Sequence, residues 1–153
     1  MTQSARNLAL IAAAGSLALL AGAFIFQAFG YAPCELCLLQ RWPHLIAILV
    51  GGAVYLTRWR QLSWVGALAA LTTALIGIYH TGIERGFWQG PTTCTSNGVT
   101  GVSAEDLLNQ ILQAPLIRCN EVAWSLFGLS MASWNAVFSF GLVILWLMAA
   151  RRR

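Results

Sequence analysis

Four apolar runs, each about as long as a bilayer-crossing helix, constrain this chain more than any other feature. They cover positions 8–29, 38–57, 62–82 and 131–150. A hydrocarbon core of roughly 30 Å takes about 20 helical residues to cross. Helix is the conformation to expect, because no water is present there to satisfy the backbone. Composition excludes a soluble alternative: of 153 residues, 58% are hydrophobic and only 9% charged, against roughly 25% in soluble domains. The reading is an all-α, integral-membrane four-helix bundle, with residues 1–153 as a single membrane domain. Gly and Ala recur along the first three runs, which allows close helix contact. The first run exceeds the ~7–15 apolar residues of a signal peptide and reads as an uncleaved span. Ala32-Pro33-Cys34 loosely matches a lipoprotein cleavage site, but Pro33 directly before the cysteine argues against processing.

All nine basic residues are arginine, and their placement orients the chain. With four spans, Arg6, Arg58, Arg60, Arg151, Arg152 and Arg153 share one side, which the positive-inside rule makes cytoplasmic. Both termini are therefore expected in the cytoplasm. The opposite side receives all five acids with Arg41, Arg85 and Arg118. The formal charge of +4 thus bears on topology, and no nucleic-acid partner is expected. Cys34 and Cys37 fall in the first outer loop, 30–37, and Cys94 and Cys119 in the second, 83–130. Outside a bacterial inner membrane thiols can remain oxidised, whereas inside they are kept reduced. The expected location is that inner membrane, with both cysteine loops in the periplasm. Within the long loop, Ser103 followed by Glu105 and Asp106 has the form of a helix start. Leu107, Leu108, Ile111 and Leu112 then make one apolar stripe, and Pro115 ends it. This short amphipathic helix would lie on the membrane surface or pack on the bundle. The stretch 87–101, rich in Gly, Thr, Ser and Pro, is expected to move freely.

Four cysteines permit three pairings, and the sequence does not choose among them. A four-cysteine zinc site would usually show two close pairs, and here one pair is 25 positions apart. Two structural disulfides are a second reading, although a Cys-x-x-Cys bridge closes so short a loop that it stabilises little through chain entropy. The spacing suits a redox dithiol, which must open and close without moving the backbone. If the second helix begins near Cys37, Arg41 lies one turn further along the same face. Its charge, with the helix N-terminus, would favour a Cys37 thiolate. Arg41 would equally hold an anionic oxygen on a lipid-dissolved acceptor, or reach for lipid headgroups. His80, near the outer end of the third span, reads either as a packed interfacial residue or as a hydrogen-bond donor to a carbonyl. No nucleotide loop, paired catalytic carboxylates or serine triad is present. Electrons taken from thiols need a sink, and the simplest two-electron sink in a bacterial membrane is a quinone.

Pro33-Cys34-Glu35-Leu36-Cys37-Leu38-Leu39-Gln40-Arg41 resembles the signature of the bacterial disulfide bond formation protein B (DsbB) family. The resemblance covers nearly the whole chain. Tyr79-His80-Thr81 resembles the family's histidine at the end of the third helix, and Phe127-Gly128-Leu129-Ser130-Met131 the start of its fourth. What the resemblance implies is a monomeric bundle, embedded in membrane lipid, that reoxidises a soluble periplasmic DsbA-like thiol oxidase. Electrons would pass to ubiquinone or menaquinone. It further implies that Cys94 forms the mixed disulfide with this transient partner and that Cys119 exchanges with Cys34. Cys37 would face the quinone and form an adduct with it, Arg41 and His80 would polarise it, and Met131 would line its pocket. Gln40 stands where some members carry an acid. A DsbA-type disulfide lies at roughly −120 mV, so only a stronger oxidant regenerates it. Two other readings remain: a vitamin K epoxide reductase-like enzyme, in which the dithiol typically sits late in the bundle, and a non-catalytic scaffold with structural disulfides.

Overall fold

Three of the described helices begin where a side chain takes up a free backbone N–H. Thr2 accepts from the Ala5 N–H at 3.3 Å, and α1 runs Gln3–Ala28. The Cys34 sulfur accepts from the Cys37 N–H at 3.3 Å, and α2 runs Glu35–Thr57. α3 spans Leu62–Glu84 and has no such cap. Ser130 accepts from the Ser133 N–H at 3.2 Å and starts α4, Met131–Arg151. The structure is a computed structural model and describes residues 1–91 and 118–152. The amphipathic helix expected from Ser103 lies outside the described residues.

The apolar run beginning at 38 understates α2, because capping by Cys34 brings the start to Glu35. Cys37 is therefore inside the first helical turn and not in the preceding loop. Before α4 stands an unanticipated hairpin, β1 (Ser125–Leu126) and β2 (Leu129–Ser130), in register Ser125 with Ser130. Phe127 and Gly128 both have positive φ, 52° and 77°, which is the type I′ turn that matches strand twist. The expectation of free movement from residue 87 fails at Trp88. Its indole donates to the Tyr79 carbonyl at 2.8 Å, and its ring stacks on Tyr79. The ring lies over Gly82, where a Cβ would come within 2.0 Å of it.

The helices pack as a ring in chain order, with α3 against α4 the most extensive seam and α1 barely touching α3 across the diagonal. Small residues make the seams: Ala9, Ala12, Ala47 and Ala70 are wholly buried. Gly66 receives the buried Trp146 ring, which an added Cβ would meet at 2.5 Å. The outer surface is as apolar as the inside, with Leu49, Leu56, Leu68 and Ile144 all exposed. Such a surface would aggregate in water, and it suits lipid. All four helices are long and apolar enough to cross a membrane, so the architecture is a four-helix membrane bundle.

Candidate active site

The Cys-x-x-Cys spacing, wound onto the start of α2, brings both sulfurs to one place. Cys34 is the N-cap and Cys37 the third residue of the helix. Their sulfurs are 3.0 Å apart, with Cys34 donating to Cys37. A disulfide needs about 2.05 Å, so closure asks for roughly an ångström of movement. Both are free thiols, Cys34 buried and Cys37 half-buried. The hydrogen bond to Cys37 holds the Cys34 thiol well above the usual thiol range, and burial adds to this. The proton of the pair therefore stays on Cys34.

Cys119 is fully buried and disulfide-bonded. It shares one apolar cluster with Cys34, Leu36 and Ile83. His80 Nε2 lies 3.5 Å from the Cys34 sulfur and 3.9 Å from Glu84 Oε1, and the ring also meets the backbone of Cys119. The Ser130 hydroxyl donates to the other oxygen of Glu84. The structure thus brings Cys34, Cys37, Cys119 and His80 together, while Cys94 lies outside the described residues. The sulfurs of the pair and a His80 ring nitrogen lie within 4.8 Å of one another, a donor set that by type would take a soft cation.

On the other side of Cys37, a cavity of about 380 Å³ is lined by Phe26, Cys37, Arg41, His44, Trp124 and Met131, among others. Arg41 donates to Gln27 Oε1 at 2.8 Å and lies 4.7 Å over the Phe24 ring. Its Nε is buried with no hydrogen-bond partner among the described residues. A smaller recess of about 40 Å³ holds Cys34, His80, Glu84, Arg118 and Glu121, and Cys37 and Met131 border both spaces. The expected pairing of Arg41 with His80 on one ligand is not what the packing produces. Arg41 lines the large cavity, whereas His80 borders the smaller recess, with its ring against Gln40 and Cys34.

Sequence reading gave Gln40 no role and passed over His44, Thr73 and Asn135. Asn135 Nδ2 donates to Gln40 Oε1 at 2.7 Å and to Thr73 Oγ1 at 3.1 Å, and His44 Nε2 is 2.9 Å from Asn135 Oδ1. The available signal was the presence of such residues inside apolar spans, where polar groups are costly and tend to be functional.

The family model for disulfide bond formation protein DsbB matches residues 5–149. The chain belongs to the DsbB family. It is 35% identical over 142 residues to disulfide bond formation protein B 2 of Pseudomonas aeruginosa, covering 87% of this chain and 83% of that one. It is 32% identical to disulfide bond formation protein B of Marinobacter nauticus, covering 88% and 85%. An uncharacterized protein of Rickettsia prowazekii is 30% identical over 122 residues, 76% of this chain and 70% of that one. No solved structure matches the chain with significance. Membership in the DsbB family makes this a disulfide-forming oxidoreductase.

Proposed function

We propose that this DsbB-family protein oxidises a periplasmic DsbA-like thiol oxidase and passes the electrons to a membrane quinone, ubiquinone or menaquinone. The observation that carries the reading is the position of Cys37. Its sulfur is in contact with Cys34, and the residue borders a largely apolar cavity between the spans. That volume is within the range of about 300–1,000 Å³ common to small-molecule sites. The lining fits a quinone head group: mostly apolar walls, with the Arg41 side chain among them as a charged donor. Arg41, Cys37 and Met131 would hold it, and a quinone there supplies the two-electron sink.

The chain's own residues divide the work. Cys94 receives the partner's thiol as a mixed disulfide, and Cys119 exchanges with Cys34, beside which it is buried. Cys34 keeps its proton and donates it toward Cys37, so Cys37 is the sulfur that carries negative charge at the cavity wall. Arg41 stabilises charge gained on an oxygen there, a role best served by fixed donors in a dry site. In the net reaction two thiols lose two electrons and two protons to become a disulfide, and the quinone gains them as quinol. Each 30 mV of difference between the couples is worth about 1.4 kcal/mol. The cysteine pairs face the periplasm of a bacterial inner membrane, and both termini face the cytoplasm.

The test uses purified protein, added quinone and a reduced DsbA-like partner, with quinone absorbance and partner thiols followed together. Quinone loss matching disulfide gain one for one, and absent in Cys94→Ser, is the expected result. No quinone change with either ubiquinone or menaquinone would sink the reading.

A further inference from the structure

We propose that Gln40 and Asn135 are positioning residues for the dithiol: they belong to a one-way chain of hydrogen-bond donors that fixes the His80 ring proton toward Cys34 and makes Cys37 the terminal acceptor. The direction of the chain follows from one anchor. The Gln40 side-chain amide is 3.2 Å from the Leu36 carbonyl, and a carbonyl oxygen can only accept. The group there is therefore the NH₂. The same NH₂ is 3.1 Å from His80 Nδ1, which must accept, so the neutral ring carries its proton on Nε2. That nitrogen is the one 3.5 Å from the Cys34 sulfur, with the Cys119 backbone as a second acceptor beside it, and the Cys34 thiol in turn donates to Cys37 at 3.0 Å.

The chain also runs back from Gln40. Its carbonyl end meets Asn135 at 2.7 Å, so Asn135 presents its NH₂, which reaches Thr73 Oγ1 as well. Thr73 has given its own proton to the Gln40 backbone carbonyl at 3.2 Å. Asn135 then turns its oxygen to His44 Nε2, which must be the protonated nitrogen. An independent check agrees: His44 Nδ1 is buried without a partner among the described residues, which suits a bare nitrogen better than a stranded N–H. Every donor thus points one way, His44 to Asn135 to Gln40 to His80 to Cys34 to Cys37. Such chains polarise one another in a low-dielectric interior.

Two consequences follow. The dithiol is asymmetric by construction, with negative charge directed to the sulfur on the cavity wall. The Cys34, Cys37 and His80 cluster is also protected from metal ions, since Nε2 holds a proton. Freeing it would turn the Gln40 carbonyl against that of Leu36. The other charged groups near the pair are Glu84 from α3, Arg118 and Glu121 beside the small recess, and Arg41 across the cavity. The variants below leave all four in place.

The inference deepens the redox reading of this dithiol, and its test needs neither quinone nor partner, so the two can fail separately. In reduced, full-length protein with ¹⁵N-labelled histidine, nuclear magnetic resonance should find the His80 proton on Nε2. A proton on Nδ1 would overturn the proposal. Gln40→Leu and Asn135→Leu change no charge and remove the amide donors. Each should slow alkylation of Cys37 by iodoacetamide at pH 7, read by mass spectrometry. For Gln40→Leu the loss should be about tenfold, the equivalent of one pK unit. Because both act through one chain, the double variant should be no slower than Gln40→Leu alone. Unchanged rates, or losses that simply multiply, would show that the two amides only pack.

Discussion

At the scale of single residues, the two cysteines of the motif are chemically different although the sequence writes them alike. The Cys34 thiol is held above its ordinary range by its hydrogen bond to Cys37 and by burial. A raised thiol value keeps the proton on through neutral pH, so reduced protein treated with limiting iodoacetamide at pH 7 should be labelled at Cys37. Labelling at Cys34 should appear only at strongly alkaline pH. Arg41 is the other residue that spacing singles out, one turn past Cys37, and it lines the same cavity. Its charged donors are worth about 1.5–3 kcal/mol to an acceptor. Arg41→Gln should therefore raise the quinone KM by about ten- to a hundredfold while leaving the thiols able to exchange with the partner. Gln40 and Asn135 were not legible in the same way. They are 95 positions apart, and no local pattern announces that one amide will meet the other.

Among elements, the helices were readable because lipid leaves the backbone no alternative, but their ends and connections depend on individual caps. A sulfur is an unusual cap, and for that reason the start of α2 was set too late. The hairpin before α4 was missed because two-residue strands around Phe127-Gly128 carry no alternating pattern. Its turn also places a phenylalanine at positive φ, where glycine or asparagine would be expected. Ser130 joins the hairpin to the helix twice over, capping α4 and donating to Glu84 on α3. Loss of a serine cap costs about 1 kcal/mol, and here a buried carboxyl would lose its donor as well. Ser130→Ala should lower the thermal midpoint of the detergent-solubilised protein by more than an exposed serine substitution such as Ser125→Ala.

For the whole molecule, an even number of spans returns the chain to the side it started from. Arg152 donates to the Ser4 hydroxyl, so the two ends meet. Charge placement then predicts which side that is. In intact spheroplasts, a membrane-impermeant reporter should find sites added at either end protected and a site added in the 83–130 loop open. The reverse pattern would overturn the orientation. The membrane bundle was implicit in four apolar spans, whereas the cavity was not. It arises from how α1, α2 and α4 are offset around Phe26, Trp124 and Met131, a matter of packing that hydropathy does not record.

The sulfur that begins α2 has a second meaning. The atom that caps the opening turn of α2 is also, in the proposed cycle, the one that gives up its proton and changes partner. Fold and reaction thus share a fastener. On that proposal, a change in the oxidation state of the thiols would act directly on the N-cap of α2.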